Sequence, residues 1–289
     1  MARTITFTNA NNDSITFGQS PYFLYNLNGF GGLINNVSFE SSPNQRGSTY
    51  LGVDINERYL SFVIVIFGVN AIDMEQKKRE VIKLFNPTLG QGILTYNNGD
   101  IEKKIDVAID AGPTMPSGEL NGNPKNIRML ISLLANQPFF EDLAETVIQL
   151  ADVIPLFEFP LNLPTDLGEL SLDTIMITNT GDTKTPIRVE IPEGVEDPVL
   201  TNETTGEFIK VNTTIPAGKT MIITTDFDNK RVVFRDNTTG AEVNASQYVD
   251  FESDYFELVV GNNQLKFEAT SGESTAILSI YYSKRYVGL

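Results

Sequence analysis

The sequence contains no cysteine, no histidine and no tryptophan. Without cysteine there is no disulfide framework, thiolate metal site or cysteine nucleophile. Without histidine, the Ser-His-Asp and Cys-His arrangements, the HExxH zinc site and the commonest general base are all excluded. Any catalysis would fall to carboxylates, Lys, Tyr and Ser. Losing tryptophan removes the flat platform on which sugars often stack, and the ten tyrosines are a weaker substitute. Long apolar runs are missing too. The opening residues Met1-Ala2-Arg3-Thr4-Ile5-Thr6-Phe7 alternate polar and apolar with no signal-peptide core, and no run approaches ~18 apolar residues, so neither a signal peptide nor membrane insertion is expected.

The chain is 289 residues long with 41% hydrophobic and 20% charged residues, enough for about two domains with cores of their own. Its formal charge is −16 and its pI about 4.4. Such a surface repels phosphate backbones, so specific nucleic-acid binding is not expected.

Turn residues break the first third into predicted strands at Thr4 to Thr8, Ser14 to Phe17, Tyr22 to Leu27 and Leu60 to Phe67. The loop Asn28-Gly29-Phe30-Gly31-Gly32 lacks the Lys-Ser/Thr ending of a P-loop and the strand-to-helix context of a dinucleotide site. A helix is predicted from Asp73 to Phe85. Asp73 is its expected cap with Gln76 three residues on; Met74, Val81, Ile82 and Phe85 share a face, and Glu75 pairs with Arg79. Pro87 stops it at Asn86. Strand patterns follow at Ile93 to Tyr96, Lys104 to Ile109 and Ile127 to Leu134. Leu143, Ala144, Val147, Ile148 and Ala151 recur at helical spacing before Pro155, which predicts a connector helix over about 141–152.

Beyond Pro155 short strand patterns recur at Thr174 to Thr178, Pro186 to Ile191, Glu207 to Val211, Thr220 to Thr225, Lys230 to Arg235, Phe256 to Val260, Gln264 to Glu268 and Ala276 to Tyr282. This rhythm indicates an antiparallel sandwich or barrel. Glu203-Thr204-Thr205-Gly206 and Asn237-Thr238-Thr239-Gly240 read as two hairpin turns with glycine at positive φ. Asp226 with Asp228, and Asp106 with Asp110, are the tempting carboxylate pairs. The first lacks the glycine and glutamate of a calcium loop, and both read as solvated acidic faces. The sequons at Asn202 and Asn212 are chance matches. No catalytic, cofactor or metal residue is assigned.

The order of several motifs resembles the siphophage distal tail proteins across nearly the whole chain. The run Tyr59 to Gly68, the helix from Asp73 and the Asn86-Pro87 boundary are similar to that family's N-terminal domain. Ile131 to Asp142, with Gln137-Pro138-Phe139-Phe140, resembles its closing stretch, and Phe157-Glu158-Phe159-Pro160 its entry into the second domain. Asn179-Thr180-Gly181-Asp182 is similar to its Asn-x-Gly-Asp turn, Leu258 to Phe267 to its Gly-Asn-Asn hairpin, and Ile280 to Gly288 to its aromatic closing strand.

The resemblance implies a mainly β protein: a tail-tube-like β-barrel with a flanking helix over residues 1–153, then a galectin-like β-sandwich over 154–289, with no large carbohydrate-binding or arm insertion. It implies a structural, non-enzymatic role in the virion, at the tail tip or baseplate, reached by assembly in the host cytoplasm. The N-terminal domain would form a homo-hexameric ring around a DNA channel, joining the major tail tube protein to the tail-associated lysin or spike and to receptor-binding proteins. Neither a metal nor an organic cofactor is expected. Two other classes fit a galectin-like sandwich: a carbohydrate-binding adhesin, which a Tyr-dependent glycan site would reveal, and a glycosidase, which turnover of cell-wall glycans would reveal.

Overall fold

The computed structural model describes residues 3–116, 121, 125–151, 174–272 and 276–289. The chain divides into two compact units, Met1–Leu143 with Arg285–Leu289, and Ala144–Lys284. The boundary therefore falls before the expected 153/154, and the segment after unit 2 belongs to unit 1. The Phe157–Pro160 motif and Pro155 lie outside the described residues.

Unit 1 contains β1 (Thr4–Thr8), β2 (Ser14–Phe17), β3 (Tyr22–Asn28), β4 (Asn35–Glu40), β5 (Thr49–Ile55), β6 (Arg58–Phe67), α1 (Ala71–Leu84), β7 (Gly92–Asn97), β8 (Glu102–Thr114), β9 (Asn126–Ala135) and β10 (Phe140–Asp142). Its main sheet is antiparallel in the order β2-β1-β7-β8-β9-β6-β3. β8 is long because it serves three neighbours: Glu102 to Val107 pair with β7, Lys103 and Lys104 pair also with β10, and Ala108 to Thr114 pair with β9 through register shifts. Alternation places Ile127, Met129, Ile131, Leu133 and Ala135 of β9 in the core, where they meet Ile5, Phe7, Phe62 and Ile64.

α1 closes one side of this core. Its cap is Asn70, whose side chain accepts from the Asp73 amide at 2.9 Å, rather than Asp73 itself. Asp73 sits in the first turn, where it accepts from Val69 N–H at 2.8 Å and pairs with Lys77. Glu75 pairs with Lys78 rather than Arg79. Met74, Val81 and Leu84 are the buried helical residues, while Ile82 points outward. Phe85 stacks on Phe7 with ring centroids 4.4 Å apart, a contact worth about 0.5–1.5 kcal/mol beyond its burial.

The connector helix expected over 141–152 is not formed over the described part, 141–151; Phe140–Asp142 and Thr146–Ala151 are strands instead. β10 pairs with β8, and β11 (Thr146–Ala151) pairs with the strand Ile277–Tyr282 from Thr146↔Tyr282 to Ala151↔Ile277. A short apolar run fits both periods, and the ladder decides it: Leu150 is buried, Val147 exposed.

Unit 2 continues with β12 (Thr174–Asn179), β13 (Arg188–Ile191), β14 (Val199–Asn202), β15 (Glu207–Lys210), β16 (Lys219–Thr224), β17 (Arg231–Asp236), β18 (Glu242–Asn244), β19 (Gly261–Glu268) and β20 (Ile277–Tyr282); β21 (Arg285–Tyr286) returns to unit 1. Two antiparallel sheets, β11-β20-β13-β16-β17-β18 and β12-β19-β14-β15, contribute to one hydrophobic core that includes Ile177, Leu200, Leu265, Val189, Ile223 and Ile280. The predicted turns join β14 to β15 and β17 to β18, with Gly206 at φ 78° and Gly240 at φ 72°. Asn179 accepts from Gly181 N–H at 2.9 Å, which makes the expected turn there.

The predicted strand from Phe256 to Val260 is absent, apart from a single bridge between Leu258 and Thr185. Both main-chain groups of Val259 are taken by the Asn263 side chain, N–H at 2.9 Å and C=O at 2.8 Å, so a side chain stands where a ladder partner would. The Gly261-Asn262-Asn263 segment accordingly opens β19 instead of turning a hairpin. Among the described residues no helix is long and apolar enough to cross a membrane.

Candidate assembly surface

Unit 1 carries one element that belongs to no larger sheet. β4 and β5 pair only with each other, with Asn35↔Ile55, Val37↔Val53 and Phe39↔Tyr50 in register and an irregularity between Ser38 and Phe39. Opposed residues share a face, so Val37, Phe39, Tyr50, Val53 and Ile55 line one side, while Asn36, Ser38, Glu40 and Asp54 line the other. Nothing in the described chain covers the apolar side: Phe39 is 59% and Tyr50 60% exposed, although their rings meet edge-on at 6.0 Å. An isolated two-stranded hairpin is marginal in water, and one with an open apolar face needs a surface to lie on.

The sequence conceals this element. Its strands mix Asn, Ser, Glu, Gly and Asp with the apolar residues, and the flanks Ser41-Ser42-Pro43-Asn44-Gln45 and Arg46-Gly47 read as loop. The readable signal is the alternation Val37, Phe39 and Val53, Ile55. A second apolar patch lies where β6 meets α1: Val69 is 82% and Ile72 74% exposed, beside Phe67, whose ring meets Phe23 edge-on at 5.4 Å.

The glycine-rich loop at 28–32 is filled by protein. Gly29 and Gly31 present their carbonyls to the Arg58 guanidinium at 2.6 and 2.7 Å, and burial pushes the Arg58 pKa down from its ordinary value.

The carboxylate pairs stay separate features. Asp226 caps a short 3-10 turn by accepting from Asp228 N–H at 3.4 Å, while Asp106 and Asp110 are exposed on β8. Among the described residues no three carboxylates come together in a way that could hold a metal ion. Asn202 is fully buried, accepting from Thr204 N–H and donating to Asn263. Asn212 donates to Asp250 at 3.0 Å, and with the Glu252 amide it holds the Asp250 carboxyl below its ordinary value.

Two family models match. Residues 13–130 match the phage tail protein RIFT-related domain, and residues 179–286 match the C-terminal domain of the siphovirus-type tail component. No curated protein is similar enough in sequence to count as a match. Among solved structures, the chain is similar to the SPP1 Dit (gp 19.1) protein, described as a paradigm of the hub adsorption apparatus in phages infecting Gram-positive hosts; the TM-score is 0.65 at 13% identity, over 97% of this chain and 98% of that one. A chain of the phage P2 baseplate in its activated conformation with Ca gives a TM-score of 0.59 at 14% identity, over 98% of each chain. The p2 baseplate with Sr gives 0.58 at 16% identity, over 97% and 98%. Both units are thus matched by models of the same kind of tail component, and the chain shares the fold of these hub proteins along nearly its whole length: it belongs to the siphophage distal tail proteins, structural components of the phage tail tip and baseplate.

Proposed function

We propose that the protein forms a hexameric ring at the distal end of the tail tube, with unit 1 making the ring around a DNA channel and unit 2 facing outward. In this reading unit 1 is a tail-tube-like barrel and unit 2 a galectin-like sandwich. The ring joins the major tail tube protein to the tail-associated lysin or spike, and it offers receptor-binding proteins a place to attach. The work is mechanical, and no step of it is enzymatic.

The observation that carries this reading is the uncovered apolar face of the β4–β5 hairpin. A heterologous contact repeated round a closed ring would seat each hairpin on the next copy. The charge agrees with the channel: unit 1 has a net charge of −2, so it carries no basic excess with which to hold DNA. Native mass spectrometry and negative-stain images of the purified protein, alone and with tube protein, test the reading. Sixfold rings are expected. A monomer at every concentration, with tube ends left bare, would overturn it.

A further inference from the structure

The segment after unit 2 is held in unit 1 residue by residue. β21 pairs with β10 through Phe140↔Tyr286 and Glu141↔Arg285. Arg285 is 5% exposed; its Nε donates to Glu141 Oε1 at 3.0 Å and its Nη2 to Gln137 Oε1 at 2.6 Å. The Tyr286 ring lies under Lys103 Nζ at 3.6 Å. The Val287 carbonyl accepts from Arg58 Nη2 at 2.7 Å. Gly288 lies so close to the glycine-rich loop that a Cβ there would stand 2.7 Å from the Gly31 carbonyl oxygen. Leu289 N–H donates to the Phe30 carbonyl at 2.9 Å.

Arg58 is the anchor of this arrangement. It is 2% exposed, and its four acceptors are main-chain carbonyls: Gly29, Gly31, Pro138 at 2.6 Å from Nε, and Val287. Its guanidinium carbon lies 4.9 Å from the centre of the Phe140 ring. Three of those carbonyls belong to the walls and one to the docked segment, so the guanidinium spans the boundary between them. Strand pairing, a buried charge-assisted bond and a glycine-only position are together how added-strand sites read a peptide.

We propose that unit 1 contains a peptide-binding groove whose ligand is a short segment that enters as a paired strand, with arginine at its first position and glycine at its fourth, filled in cis by residues 285–289. Glu141 and Gln137 select the arginine, Gly31 excludes any side chain at the fourth position, and Arg58 holds the backbone between them. The segment is recognised by its own contacts, independently of the covalent path through unit 2. The inference stands whether or not the protein forms rings.

The test uses a chain ending at Lys284 and a fluorescently labelled peptide spanning Lys284–Leu289, with binding read by anisotropy. The shortened chain is expected to bind the peptide saturably. The intact chain, with its groove occupied, and a peptide carrying Arg285→Ala should each bind at least about tenfold more weakly. Hydrogen exchange of the intact chain is the companion measurement: the Leu289 amide should exchange at least about 100-fold more slowly than in the free peptide. Equal binding to both chains, or none to the shortened one, overturns the proposal. If the shortened chain does not fold, exchange decides: free-peptide rates through 285–289 overturn the proposal, and slow exchange upholds it.

Discussion

The two units manage their surfaces in opposite ways. Unit 1 has 12 basic and 14 acidic residues, a net charge of −2, whereas unit 2 has 9 and 23, a net charge of −14. Of the 27 large apolar residues exposed among the described ones, 19 are in unit 1 and 8 in unit 2. A nearly neutral, apolar surface is suited to being covered by more protein, and a strongly acidic one to staying in water.

Unit 2 also shows how an outer apolar face can be sheltered without a partner. Ile222 and Val233 face away from its core and oppose each other in the ladder, yet both are buried. Glu190 lies opposite Ile222 and bridges Arg188 and Arg235 on that same face, and Arg188 also reaches Glu145 at 2.7 Å. The stems of long charged side chains serve as cover there. The β4–β5 hairpin has no such roof.

Removing the apolar character of the hairpin should change assembly most. With Val37→Asp and Val53→Asp together, rings are expected to disappear from native mass spectra and micrographs while thermal stability moves by less than about 0.5 kcal/mol, because both positions are exposed. Intact rings from that variant would dissolve the contrast between the units.

A stability effect confined to unit 1 comes next. Arg58→Ala leaves four main-chain carbonyls without the donor they share and should cost about 3 kcal/mol. Calorimetry should show the unit 1 transition falling while that of unit 2 holds; equal movement of both would mean that they unfold together.

Asn263→Ala is the matching break in unit 2, expected to cost about 2 kcal/mol because Val259 loses both partners. The lower-melting transition should then be that of unit 2.

The smallest effect is one of pH. The Lys77 ammonium and the Val69 amide hold the Asp73 carboxyl below its ordinary 3.8. A depressed carboxylate contributes fully at neutral pH, and its contribution fades as pH falls below about 4 through the folded-state value. Asp73→Asn should therefore melt earlier than the parent at pH 7, and the gap should close on acidification. A gap that persists at pH 2 would point to packing instead.

Legibility in the sequence follows the strength of the burial pattern. β1 and β2 are legible to the residue and β9 nearly so, because alternate side chains enter the core and strict period two results. The β4–β5 hairpin escapes detection because exposed strands carry no core imprint. Two short strands, β14 and β18, escape as well, being only four and three residues long. The helix cap reads as Asp73 instead of Asn70 because both residue types can cap and only geometry separates them. The stretch from Phe256 to Val260 misleads in another way: it has the composition of a strand, but the side chain of Asn263 satisfies the backbone of Val259. Nothing local could mark residues 285–289 as part of unit 1, since their partners at Arg58, Gly31 and Glu141 are far away in the chain.

That distance sets the order of events during synthesis. Val287 and Leu289 leave the ribosome only after all of Ala144–Lys284 has been made, which at about 5–20 residues per second takes roughly 7–28 s. For that interval Arg58 lacks one of its four acceptors, the Val287 carbonyl, and the Phe30 carbonyl lacks the Leu289 amide. Unit 2 can complete its sheets before unit 1 completes its own, although unit 1 is translated first. Unit 1, begun first, is thus finished only once residues 285–289 have followed unit 2.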